Sequence, residues 1–196
     1  MSSGRTTYSE FKKKLARLAE SLLPSDSATG KYTDSQKDRI HAYVVLAHAE
    51  IEDFLEGLAR YIVDRARRNS SPPQCASVIS RLIFHKNSRG NDKIDSVTTD
   101  SISGAVTYYE NIVAGNNGIR SENLFKMFMP LGLTHDDFDP ILMQNLNTFA
   151  SYRGGIAHTS ARLQQGSSPS AERSKIEAIA NELSHLDQKI RGLLNL

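Results

Sequence analysis

The chain has 196 residues, 39% hydrophobic and 23% charged, with a formal net charge of +2 and a pI near 8.6. That length suffices for one compact domain spanning residues 1–196. No apolar run reaches the ~20 residues of a membrane-spanning helix, and Cys75, the only cysteine, excludes an intrachain disulfide framework and a cysteine-based zinc site.

Hydrophobic residues recur at helical spacing almost throughout. Tyr8, Phe11, Leu15, Leu18 and Leu22 step by three or four and stop before Pro24, which predicts a helix over about 7–23 packed on the remainder. Residues 1–20 are polar, with Lys12, Lys13 and Lys14 in an amphipathic pattern, so no secretory segment is expected and the natural setting is the cytoplasm. "TDSQ" at 33–36 reads as a capping box, Thr33 capping and Gln36 reaching back. It opens the longest element, about 34–67. There Ile40, Val44, Ala47, Ile51, Phe54, Leu58 and Ile62 form a stripe long enough for a central bundle helix. Arg65, Arg67 and Arg68 at its end suit the negative pole of the helix dipole better than a nucleic-acid patch.

"NSSPPQ" ends that helix, and a shorter one near 76–85 precedes a polar loop, "KNSRGNDK", at 86–93. Segment 100–114 is helical with Ile102, Val106 and Tyr109 on one face, and "AGNNG" stops it. Ser121 is placed to cap the next helix, where Leu124, Phe125, Phe128 and Met129 face a core and Pro130 ends the pattern. Asp139–Pro140 then supplies an N-cap with proline at the first helical position. Ile141, Leu142, Leu146 and Phe149 carry that helix toward Arg153, and a last helix from about 170 holds Ile176, Ile179, Leu183, Leu186 and Ile190 in register. No alternating β-branched stretch competes. The class is all-α, a bundle of about five to seven helices.

No glycine-rich phosphate loop and no dinucleotide fingerprint is present, and the six histidines include no HExxH, so no cofactor and no metal is expected. His41, His48 and Glu52 share one flank of the long helix, as histidines bordering a core and paired to a carboxylate do. Tyr43, Glu50 and Tyr61 fall on the other flank, as surface or inter-helix contacts. The remaining feature is "SYRGGIAHTS" at 151–160. His158 is the only histidine placed five to seven residues after an arginine, Arg153. The intervening Gly154–Gly155 is expected to end the helix, fold the chain back and let the two side chains converge.

"RGGIAH" has the form of the R-x(4–6)-H motif, and with "HAYVVLAHAEIEDFLEGLARYI" at 41–62 and "GIRSENLFKMFMPLGL" at 118–133 it resembles the HEPN superfamily, in particular its RiboL-PSP group, over about residues 35–195. The resemblance implies an α-helical ribonuclease that cleaves single-stranded RNA without a metal, the 2′-hydroxyl attacking its neighbouring phosphate. His158 would then transfer protons near neutral pH. Arg153 would hold the phosphate and its transition-state charge. Glu52, in an E-x-F position, would support either group. Arg162, four residues beyond His158, would either contact RNA phosphate or face solvent. The resemblance also implies a homodimer, with the two motifs and about 150–166 forming a basic cleft. An antitoxin or other regulatory protein would be a partner in a toxin–antitoxin, antiviral-defence or RNA-processing setting. Two positions differ from many members: Gly154 replaces a polar residue, and Ser160 stands where some toxins carry a tyrosine. The competing expectation is a non-catalytic HEPN module for nucleic-acid or protein binding, or for dimerisation alone.

Overall fold

Short-range capping defines several helix ends. Thr7 Oγ1 accepts the Glu10 N–H at 3.2 Å while the Glu10 carboxylate accepts the Thr7 N–H at 2.7 Å, and Thr33 with Gln36 repeats the exchange. Asp139 Oδ1 accepts the Ile141 N–H at 2.7 Å, directly after the proline start. A computed structural model describes residues 6–68, 73–90, 97–158 and 168–193. Its helices are α1 (Tyr8–Leu22), α2 (Asp34–Arg68), α3 (Pro73–Gly90), α4 (Thr99–Ala114), α5 (Ser121–Phe128), α6 (Pro140–His158) and α7 (Pro169–Leu193). Two 3₁₀ turns, Met129–Leu131 and His135–Asp137, lie between α5 and α6, and no strand occurs among the described residues.

α2 is the axis of the bundle and touches every other helix. Buried residues from all seven helices join one hydrophobic cluster. α1 lies along α2 with Phe11 stacked on Phe54, ring centroids 4.5 Å apart. α6 and α7 pack on each other and both against α2. Between α4 and α5, the buried Tyr109 hydroxyl donates to the Met127 carbonyl at 2.8 Å. At the turn after α5, Gly132 has φ 104°, a backbone that favours glycine, and a Cβ there would also have to displace the Arg81 side chain, whose Cδ would lie 2.8 Å away.

Several local expectations are corrected. The stretch 86–90 is helical, because nothing before Gly90 breaks the backbone and polarity here only marks a solvated face; residues 91–93 lie outside the described residues. Ser121 is the first helical residue of α5 rather than its cap. Its N–H is taken by Asn147 Oδ1 of α6 at 2.9 Å, and Asn123 Oδ1 takes the Arg120 N–H at 3.2 Å. Met129 is 40% exposed and the core place goes to Met127, since Pro130 shifts the register into a 3₁₀ turn. Ile141, in the first turn of α6, is 62% exposed. Tyr43 is core rather than flank: it is buried where α2 meets its neighbours.

Candidate functional site

α6 carries its buried face at Leu142, Leu146, Phe149 and Ile156, all closed to solvent. The steps between them run four, three and seven, and the seven splits into four and three at Arg153. Arg153 therefore occupies a core-stripe position. Its side chain is half-buried, its Nε is buried without a hydrogen-bond partner, and no carboxylate among the described residues lies within ion-pair distance of it. A guanidinium in such a place costs free energy. It is half sunk in the bundle, with no carboxylate among the described residues to neutralise it.

On α2, which packs against α6, His48 is only 5% exposed. His48 likewise interrupts a buried register of α2, between Val44 and Ile51, Leu55. Its ring lies 6.0 Å from that of Phe149, and its Nδ1 lies 4.0 Å from Glu52 Oε2. Burial, and next the positive charge of Arg153, lower its pKa from the ordinary 6.5 to about 4, so the imidazole is neutral at pH 7.

Glu52 is engaged elsewhere. Its Oε1 accepts the Gly118 N–H and, at 3.3 Å, the Asn116 side-chain amide. Asn116 Nδ2 also donates to Glu56 Oε1 and to the Gly118 carbonyl, both at 3.1 Å, and Asn123 Nδ2 donates to Asn116 Oδ1 at 3.1 Å. The turn between α4 and α5 is thus fastened to α2 one turn from His48. Expected to support Arg153 or His158, Glu52 instead holds this turn and approaches His48. On the outer side, Arg120 Nη2 donates to Ser151 Oγ of α6 at 3.0 Å.

The glycine pair does not end the helix, contrary to the expectation from sequence: α6 continues through Gly154 and Gly155 to His158. Glycine weakens a helix by about 1 kcal/mol without sterically forbidding it. Tertiary contacts hold this one on both sides, through buried Ile156 and through the Tyr152 hydroxyl, which donates to Glu172 Oε1 of α7 at 2.9 Å. Glu172 is fully buried and also accepts from Lys175 at 3.0 Å. A five-residue step along a helix rotates by about 140° and rises about 7.5 Å. The backbone positions of Arg153 and His158 thus lie on different flanks rather than at one spot. His158 is the last residue of α6, its side chain lies outside the described residues, and so do Ser160 and Arg162.

His48 is the site residue that sequence reasoning treated as a bystander. The available signal was a polar residue at a buried register of α2, matched by another at a buried register of α6. Among the described residues no three His, Cys, Asp or Glu side chains gather as a ligand set, and no helix is long and apolar enough to cross a membrane. A cavity of about 280 Å³ lies at the opposite end of α6, lined by Asp139, Glu182, His185 and Lys189 among others. Its carboxylates cap α6, bind Asn145 or, at Asp137, pair with Lys189 at 2.9 Å.

No curated protein and no solved structure matches the chain. The family model of RiboL-PSP-HEPN matches residues 7–192, from the cap of α1 to the last turn of α7, including Arg153, His158 and the α2–α6 contact. With that match over nearly its whole length, the chain belongs to the RiboL-PSP-HEPN family.

Proposed function

We propose that the protein is an endoribonuclease that cleaves single-stranded RNA without a metal ion. The observation that carries this reading is Arg153, a guanidinium kept at a core-stripe position with its Nε buried and no carboxylate partner among the described residues. A cation left unneutralised at the edge of a core is suited to an anion supplied from outside, and a phosphodiester is the anion the family suggests. In the proposed reaction the 2′-hydroxyl loses its proton, its oxygen forms a bond to the adjacent phosphorus, and the bond to the 5′-oxygen breaks as that oxygen gains a proton. Arg153 stabilises the charge on the non-bridging oxygens, and His158 transfers the proton. An unstacked single strand is required because the attacking oxygen must line up opposite the leaving one.

The working unit in this reading is a homodimer, in which α6 and about residues 150–166 bring two motifs to one cleft. The support is geometric and electrostatic. Along one α6 the Arg153 and His158 positions diverge by about 140°, so a second copy supplies what one helix does not. Two copies also double the positive charge on the RNA. A role in toxin–antitoxin control, antiviral defence or RNA processing, with a regulatory protein partner, fits such an enzyme, and Arg162 is proposed as a further RNA contact.

The test is incubation of structured and unstructured RNA with the protein in EDTA, beside Arg153→Ala and His158→Ala. Cleavage in EDTA is expected, with losses of about 10²-fold or more in each variant. Activity that vanishes in EDTA and returns with Mg²⁺ refutes the mechanism, and wild-type rates in either variant refute the site. The same continuity of α6 favours the second reading, a non-catalytic binding module. RNA binding without cleavage selects it.

A further inference from the structure

Charge is unevenly spread along this chain. Residues 65–91 contain six Lys or Arg and no Asp or Glu, while the whole chain carries only +2, so the remainder is net acidic. α3 lies inside that stretch. Its buried side runs through Val78, Ile79, Leu82 and Ile83, and the opposite side holds Ser77, Arg81, Phe84 and Ser88, all exposed. Steps of four, three and four put those four residues on one stripe of the helix, about 16 Å long. Phe84 is 69% exposed, the most of any large hydrophobic side chain among the described residues. A protein-binding patch would continue apolar around such a ring, whereas its neighbours on the stripe are two hydroxyls and a guanidinium.

Arg81 is held in place rather than free to swing. Its stem crosses Gly132 so closely that a Cβ there would lie 2.8 Å from its Cδ and 2.9 Å from its Nε. On the other side its Nε donates to Ser77 Oγ at 3.3 Å. No carboxylate among the described residues pairs with it. A group ordered in advance loses little entropy on binding. Residues three apart on a helix are surface neighbours, so this guanidinium and the Phe84 ring stand side by side. Together they present the two elements that take hold of a single-stranded nucleic acid, a fork for phosphate oxygens and a flat face for a base.

We propose that the outer stripe of α3 is a docking surface for single-stranded RNA, with Arg81 gripping a phosphate and Phe84 stacking on an adjacent base. The excess positive charge of residues 65–91 draws the strand to this side of the molecule. The inference rests on the ribonuclease reading for the choice of RNA and for its kinetic consequence, and on the stripe alone for binding. α3 holds the strand and takes no part in the cleavage step.

The experiment has two arms. In the first, fluorescence anisotropy measures binding of an end-labelled, unstructured 2′-O-methyl RNA of about 12 nucleotides, which 2′-hydroxyl attack cannot cleave. Phe84→Ala is expected to weaken binding about fivefold or more with its salt dependence unchanged, and Phe84→Trp to restore it. Arg81→Gln is expected to weaken binding and to flatten the slope of log Kd against log salt by about 0.7. Wild-type affinity in either Phe84→Ala or Arg81→Gln overturns the proposal, and so does a wild type that binds nothing at low salt. Unchanged binding in Phe84→Ala beside a dimer lost in sedimentation overturns it too, because the ring then packs on a second copy. Both side chains are exposed, so the fold should survive; if Phe84→Ala does not fold, Phe84→Gln replaces it. In the second arm the same strand with free 2′-hydroxyls is cleaved. KM is expected to rise in Phe84→Ala while kcat stays within about twofold. A wild type that binds through Phe84 but cleaves nothing refutes the ribonuclease reading and keeps the surface. Cleavage with KM and binding both unchanged in Phe84→Ala refutes the surface and keeps that reading.

Discussion

Arg153→Met separates what this residue contributes to chemistry from what it contributes to folding. Methionine keeps an unbranched stem of similar reach, so contacts along the Leu146–Phe149–Ile156 stripe survive. The substitution removes the charge and the buried Nε–H that has no partner. Relieving an unsatisfied buried donor is worth about 1–3 kcal/mol. Arg153 is only half-buried, so the low end applies and a gain of about 1 kcal/mol is expected. For a chain of this size that raises Tm by roughly 2–4 °C. Calorimetry and urea titration read the stability, and RNA cleavage in EDTA reads the function. The variant should be more stable and inactive, as expected where a functional group is kept at the expense of packing. A Tm lowered by more than about 3 °C would show that Arg153 is a structural residue and that its placement in the stripe was misinterpreted.

Three further outcomes follow from particular contacts. His48, with a folded pKa of about 4 against the ordinary 6.5, contributes stability that is fully present above pH 6.5 and is lost as pH falls toward 4. At about 1.36 kcal/mol per unit, its ceiling is ~3 kcal/mol. Urea midpoints of wild type and His48→Gln should diverge across that window, and parallel curves would contradict the assignment. Glu52→Ala strips the acceptor from the Gly118 N–H and one partner from Asn116, and should destabilise by about 1–3 kcal/mol. An unchanged Tm would mean that the 116–118 turn is held by other contacts. Tyr109→Phe leaves the buried Met127 carbonyl unpaired and should cost about 1–2 kcal/mol in urea unfolding. A variant as stable as wild type would show that this carbonyl finds another donor.

The helices were legible in the sequence wherever their signals are short-range. Thr7 with Glu10, Thr33 with Gln36, and Asp139 with Pro140 lie within a few residues of one another, and each caps as its pattern indicates. The motif residue Arg153 was also legible as a motif. That it continues the stripe of Leu142, Leu146 and Phe149 was readable by counting onward, but the glycines after it appeared to end the helix first. What keeps α6 going is tertiary: Tyr152 reaches Glu172, twenty residues away, and Ile156 finds the core. Glycine propensity carries no knowledge of such fasteners. "AGNNG" was readable as punctuation, whereas Asn116 hooking Glu52 across 64 residues was not. His48 and Arg153 are separated by more than a hundred residues, and only packing α6 on α2 reveals that their two irregularities lie on helices that meet.

The passage of α6 through Gly154–Gly155 has a consequence for motion. Among the described residues a Cβ added at either glycine would meet nothing within 4 Å, so no described part of the chain packs closely enough to demand glycine there. Relative to alanines the two lower the opening free energy of the last turn by about 2 kcal/mol, which makes its unwound form about thirtyfold more populated. The helix accordingly divides at Arg153 into a segment clamped by Phe149, Tyr152 and Glu172 and a terminal turn fastened to the core through Ile156, whose opening must first release that side chain. Amides of 156–158 should exchange with solvent faster than those of 146–152. The distance between the arginine and the histidine is then a distribution with the helical value as its principal member. A ligand that grips both positions draws on the rarer, unwound members, and its apparent affinity is set partly by how often that turn opens.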